Sequence, residues 1–432
     1  MIRKGFESAE RALAPPKNYA NFTYYDRLWF LFKDVFSGKP VVTRLLQFSI
    51  LLTMMVISFC ATPLCLILSK SGWRFVDIDL DQIGSILFLD ILLKEDILEK
   101  KKSKILVLAS SSRDGNRYIL DLYNNHVTFI RNPLLKFFLY PFFVSHVFKN
   151  DSSHRFEAVF PTEIVAHKIW KKYTEEIGTP LVAMSPNDKY EARRILEKHL
   201  PQGRPFVSIH VRDTGFYKNE KQNTRNGDIF TYLPAIKYLI KKGFNVVRIG
   251  DPFMKDIEPM LVECGPYLFD YACSEIKSQL IDCYLMSECV FFIGCASGPN
   301  CIPPIFNVNC VTVNWYNASN ALFYSKGDIA TFKKFRWCEN GRLVPLSNLM
   351  KPPYSVNPTI VELAQEGVEL SDNTPEEIYE TVREFVENDT QEVTPLQKRG
   401  RSLLRPENYS VGAQGNFSNT IMEVYLRDGA LG

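Results

Sequence analysis

The chain has 432 residues, 46% of them hydrophobic, which is long enough for two domains with full cores. Its net charge of +3 is small for that length, and no basic block is interleaved with aromatics, so nucleic acid is not an expected partner. Ten cysteines, two of them Cys60 and Cys65 and the other eight between Cys264 and Cys338, show no CxxC or Cys/His ligand spacing, so no zinc site is expected.

Those cysteines read as small buried hydrophobes of a reducing compartment. Asn-x-Ser/Thr triplets at Asn21, Asn317 and Asn416 do not establish secretion. Residues 1–44 are mildly basic, and Tyr24, Tyr25, Trp29, Phe30, Phe32 and Phe36 suit an amphipathic helix on a membrane interface. Leu45–Leu68 then runs without a charge and is long enough to cross a bilayer, although Pro63 also fits a re-entrant segment. A buried core helix is the alternative. Lys33, Lys39 and Arg44 outnumber Lys70 and Arg74, which favours an inside N-terminus.

Beyond Trp73, Phe75–Leu80 alternates as a strand does, and a turn at Asp81–Ser85 leads into a helix from Ile86. Asp77, Asp79 and Asp81 have the Asp-x-Asp spacing of metal-dependent transferases, but they stand well before the nucleotide-like unit, so no metal is assigned to them. Ile105–Ala109 reads as a strand. The aromatic cluster Phe137, Phe138, Tyr140, Phe142 and Phe143 is core or a second membrane contact. Helices are expected over 160–177 and 188–200, and Pro201-Gln202-Gly203 marks a boundary.

From Phe206 the rhythm is strand, helix, strand. Strands are expected at Phe206–Val211, Phe244–Ile249, Val290–Ile293 and Val311–Val313, with helices at 229–242, 276–287 and through Ile305. Such alternation predicts a parallel α/β sheet with right-handed crossovers. Thr374-Pro375-Glu376-Glu377 opens a helix reaching Glu387, and the charged stretch from Asp389 to Arg405 reads as a mobile linker. The expected divisions are a membrane anchor over 1–70, Rossmann-like domains over 71–200 and 201–388, and a charged tail over 389–432.

Three strand ends carry polar residues that can converge where open parallel sheets bind ligands. The first holds His210, Arg212 and Asp213. His210 and Arg212 share a side of an extended backbone and suit an anion such as a diphosphate. A structural ion pair is the alternative for Arg212. The second is Arg248–Asp251, and the third is Cys295–Asn300, where Ser297, Gly298 and Pro299 let a ligand approach a helix start. Asp282 stands on the helix before that third strand.

Together Ser-Ile-His-Val-Arg-Asp, Thr224–Ile229, Val-Val-Arg-Ile-Gly-Asp-Pro, Ile281-Asp282 and Phe-Phe-Ile-Gly-Cys-Ala-Ser-Gly-Pro resemble a family of bacterial surface-polysaccharide glycosyltransferases. That family is distantly similar to the fucosyltransferase superfamily with the His-x-Arg motif. The resemblance implies a GT-B fold, with two Rossmann-like domains facing a cleft. It implies donor contacts from His210, Arg212, Asp251, Asp282, Ser297, Gly298 and Pro299, and from Gln82 and Gly84 across the cleft. Arg212 would stabilise the departing diphosphate, and Asp213 is the expected base. The chain lacks a second Arg directly after Arg212 and has Gly-Pro after Ser297, which departs from the fucosyltransferases.

The expected function is an inverting, metal-independent and cofactor-free transfer from a nucleotide sugar to a cell-surface glycan or lipid-linked acceptor. The expected place is a membrane, at the cytoplasmic face of the inner membrane or with a luminal or periplasmic domain. A non-catalytic nucleotide-sugar-binding scaffold and a nucleotide-sugar epimerase are the rival functions.

Overall fold

The computed structural model describes residues 71–109, 115–132, 163–213 and 224–431, except positions 79, 322, 323, 357, 389–391 and 407, together with scattered positions between 49 and 70 and position 135. The aromatic interface of 1–44, most of Leu45–Leu68 and the Phe137–Phe143 cluster lie outside these residues. Among the described residues no helix is long and apolar enough to cross a membrane.

The chain divides into two compact units. The smaller comprises Met1–Asp81, Glu99–Asp114 and Asn124–Pro161. It carries β1 (Trp73–Asp77), β2 (Lys104–Leu108) and β3 (Val127–Ile130), paired in parallel in that order. Val76 of β1 and Ile105 and Val107 of β2 form its buried apolar row, and Arg74 is buried beside them.

The larger unit comprises Gln82–Leu98, Gly115–Tyr123 and Thr162–Gly432. Its early helices are α1 (Ile86–Leu98), α2 (Arg117–Asp121), α3 (Glu163–Glu176) and α4 (Pro186–Leu196). On α1 a buried Lys94 ammonium pairs with Asp90 at 2.6 Å and lies 3.2 Å from the centre of the Trp170 ring on α3. Burial holds the Lys94 pKa below its ordinary value, against the pull of Asp90.

The rest builds a seven-stranded sheet. It runs through β4 (Phe206–Ile209), α5 (Leu233–Lys241), β5 (Asn245–Arg248), α6 (Glu258–Cys264) and β6 (Leu268–Asp270). It continues through α7 (Gln279–Ser287), β7 (Phe292–Gly294), β8 (Cys310–Trp315) and β9 (Ile329–Phe332). A separate antiparallel pair, β10 (Lys334–Trp337) and β11 (Val368–Ser371), follows. Then come α8 (Pro375–Glu387), α9 (Pro395–Ser402), β12 (Asn416–Phe417) and α10 (Asn419–Arg427). The order is β12-β9-β8-β7-β4-β5-β6, parallel throughout.

Helices cover both faces, as a fully parallel sheet requires. Val207 and Ile209 of β4 join a core with Ile236, Leu239, Ile378 and Val382, drawn from α5 and α8. Ser208 points the other way, and its hydroxyl donates to the Leu285 carbonyl on α7 at 2.6 Å.

Two expectations are corrected here. The stretch 389–405, read as a mobile linker, contains α9, whose Thr394 and Gln397 form a capping box. Its Arg401 guanidinium donates to the carbonyls of Ala413, Gln414 and Gly415, which fastens this helix to the fold. The helix expected through Ile305 is replaced by two short 3₁₀ turns, Gly298–Cys301 and Pro303–Phe306. Pro299, Pro303 and Pro304 lack the N–H groups a longer helix needs.

Candidate functional site

Strand order reverses between β4 and β7. From β4 the chain winds outward to β5 and β6, and from β7 it winds the other way to β8, β9 and β12. A crevice opens at such a switch point beyond the carboxyl ends of the two strands. Here the strands lead into His210–Asp213 and Cys295–Asn300. The two segments are bonded to each other: His210 N donates to Ile293 O at 2.9 Å, and Arg212 N to Cys295 Sγ at 3.1 Å.

His210 is buried, with Nδ1 3.1 Å from the Ile249 carbonyl. A carbonyl only accepts, so Nδ1 carries the hydrogen. Burial holds the imidazole pKa down to about 4, with Arg248 adding to the effect and the Ile249 bond opposing it. The ring is therefore uncharged at neutral pH. The loop that covers it comes from β5, where a Cβ on Gly250 would stand 3.2 Å from His210 Nδ1.

Asp213 Oδ2 accepts from Lys255 N at 2.7 Å and lies 3.9 Å from the buried Arg248 guanidinium. Arg248 Nη1 donates in turn to Asp270 Oδ2 at 3.1 Å. Burial pushes the Asp270 carboxyl up, while Arg248 pulls it down. This string ties the carboxyl ends of β4, β5 and β6 together, with Asp213 Oδ2 engaged in it. Asp251 Oδ1 accepts from Phe253 N at 2.9 Å, so it shapes the turn after β5.

On the β7 side, Asn300 is fully buried and folds over Gly294, where a Cβ would lie 1.9 Å from Asn300 Oδ1. Ser297 is buried, and its N–H donates to Cys295 O at 2.7 Å. Gly298 opens the first 3₁₀ turn, followed by Pro299, and packs against Ile83 and Gly84. Gln82 precedes that Ile83–Ser85 turn and is exposed. The structure thus brings Gly84, Ser297, Gly298 and Pro299 together. Asp282 stands in the first turn of α7, bonded to Lys277 at 3.1 Å.

Arg225 carried no role in the sequence. Its Nε donates to Ala296 O at 2.7 Å. Gly227 N donates to Arg212 O at 2.8 Å, and the Asn226 carbonyl accepts from Lys333, which pairs with Asp372 at 2.7 Å. The loop after residue 223 is therefore fastened to β4, to β7 and beyond β9. Only its tertiary bonds reveal this.

Among the described residues no group of three or more His, Cys, Asp or Glu side chains could hold a metal, and Asp79 lies outside them. A cavity of about 70 Å³, lined in part by Asn309, Asp328 and Gln397, opens at the amino ends of β8 and β9. It is at the opposite edge of the sheet and too small for a nucleotide sugar, since ligand pockets hold roughly 300–1,000 Å³.

No family model matches the chain, and no curated protein matches it. Among solved structures, E. coli ADP-heptose LPS heptosyltransferase II is similar over 55% of this chain and 84% of its own, with 15% identity and a TM-score of 0.38. A glycosyl transferase family 9 protein from Veillonella parvula aligns over 58% and 82%, with 13% identity and a TM-score of 0.38. The UDP-GlcNAc 2-epimerase of Methanocaldococcus jannaschii aligns over 65% and 68%, with 11% identity and a TM-score of 0.25.

Proposed function

We infer that the chain is a glycosyltransferase whose nucleotide-sugar donor binds at the carboxyl ends of β4 and β7. The observation that carries this is the reversal of strand order there, with Arg212 at the end of one strand and the Ser297-Gly298 loop at the end of the other. Sugar transfer builds negative charge on the departing diphosphate. A fixed guanidinium stabilises that charge in place, without reorganising as the bond breaks.

Of the His-x-Arg pair, Arg212 supplies the positive charge, because the buried His210 is neutral and its Nδ1 donates to the Ile249 carbonyl. The proposal therefore covers nucleotide sugars as a class and does not extend to fucose. The acceptor class is a cell-surface glycan or a lipid-linked precursor. The charge-free run Leu45–Leu68 supports attachment to a membrane, which resistance to carbonate extraction would check.

The test is a thermal-shift panel of nucleoside diphosphates and nucleotide sugars on the full chain, wild type and Arg212→Ala. One nucleotide should stabilise the wild type and not the variant. Donor turnover should fall roughly 100-fold or more in the variant. A nucleotide effect indifferent to Arg212 would overturn the site, and turnover that isomerises the donor sugar without an acceptor would replace transfer with epimerisation.

A further inference from the structure

A second arginine lies against the segment that follows β7. Arg225 reaches it from the loop after residue 223, and its Nε bond to the Ala296 carbonyl sets the guanidinium plane beside the Ser297 loop. A carbonyl oxygen orients a guanidinium but leaves its charge intact. The bond is not what holds the loop, because Gly227 is tied to Arg212 and Asn226 to Lys333 independently. Its effect is on where the cation sits. Arg212 thus lies on the segment after β4, and Arg225 is bonded against the segment after β7. A diphosphate has two anionic groups, each a match for a guanidinium fork.

We propose that Arg225 is a second diphosphate-binding residue, holding the donor from the β7 side while Arg212 holds it from the β4 side. This rests on the donor site inferred above.

The test measures binding of inorganic pyrophosphate and of the stabilising nucleoside diphosphate to the full chain by calorimetry at several salt concentrations. The variants are Arg225→Gln, Arg225→Lys and Arg225→Ala. Glutamine keeps a donor for Ala296 and removes the charge, so it separates binding from positioning. Arg225→Gln should weaken both ligands roughly 10- to 100-fold and flatten the salt dependence. Arg225→Lys should recover part of the loss. Unfolding midpoints measured without ligand identify any variant that fails to fold; should Arg225→Ala do so, the glutamine and lysine variants decide. Wild-type affinity and salt dependence in Arg225→Gln would overturn the role of Arg225, while loss in Arg212→Ala alone would leave the donor site standing. A wild type that binds neither pyrophosphate nor any nucleoside diphosphate would overturn both.

Discussion

Gly84 and Gly298 meet backbone to backbone. A Cβ on Gly84 would stand 3.1 Å from the Gly298 Cα, and a Cβ on Gly298 would stand 3.1 Å from the Gly84 nitrogen and 2.9 Å from Ile83 Cγ2. The absence of side chains here lets the Ile83–Ser85 turn lie directly on the loop that carries Ser297. Gly298→Ala should therefore cost about 1–3 kcal/mol through overpacking, read as a lower urea midpoint with an unchanged slope. A change within about 0.5 kcal/mol would show that the turn moves aside freely.

His210 gives a pH signature. Its native pKa of about 4 lies below the ordinary 6.5, so between those values the unfolded chain binds a proton that the folded chain does not. Stability is lost as pH falls through that window, by on the order of 3 kcal/mol from this residue. His167, held down to about 3 by burial and by Arg401, acts in the same direction. Urea titrations of His210→Gln between pH 7 and pH 4 should show a shallower loss than the wild type. Parallel curves would sink the assignment of a neutral buried ring.

Asp328 works with the opposite sign. Burial pushes its carboxyl up to about 7, even though the amides of Cys310 and Ser325 donate to it at 2.7 and 2.8 Å. A raised native pKa means that its stabilising contribution is present below about 4 and is lost as pH rises towards 7. Infrared difference spectra should show a protonated carboxyl band disappearing near neutral pH in the wild type and absent from Asp328→Asn. A band that titrates near pH 4 would contradict it.

Arg248 is fully buried between Asp270 and Asp213. Arg248→Ala leaves the Asp270 carboxylate without its cation and should cost about 3–5 kcal/mol. The double variant with Asp270→Ala should cost less than the sum of the two single changes, because the second deletion removes the stranded charge. Strict additivity in chemical denaturation would show that the pair is not coupled.

Thr374 accepts from Glu377 N at 3.2 Å, while Glu377 Oε2 accepts from Thr374 N at 2.8 Å. Thr374→Ala should cost about 1 kcal/mol, measured as a shift in the unfolding midpoint. This cap was legible in the sequence because every element of it lies within four residues.

The same locality explains which other features could be read in advance. Strand β4 announced itself as an apolar run after Gly203 and Pro205, and β5 and β8 did likewise. Leu268–Asp270 did not, since three residues between two tight turns carry no period. β9 to β12 are short and mix polar with apolar residues, so their pairing is decided by neighbours distant in sequence. At the site, alternation along β4 pointed to Arg212, but the neutral state of His210 depends on a loop from β5 that covers it. Arg225 sits in a stretch without periodicity, and only its bond to Ala296 reveals where it goes.

The sheet's outer strand also has a temporal meaning. β12 closes the edge of β9, and Phe417 packs its ring 5.5 Å from Phe332. During synthesis β9 leaves the ribosome long before Asn416 and Phe417 do, and for that interval its peptide groups have no partner on that side. An open edge is a template for any passing strand. A chain that terminates early should therefore self-associate through β9, whereas the finished chain covers that edge with its own final strand.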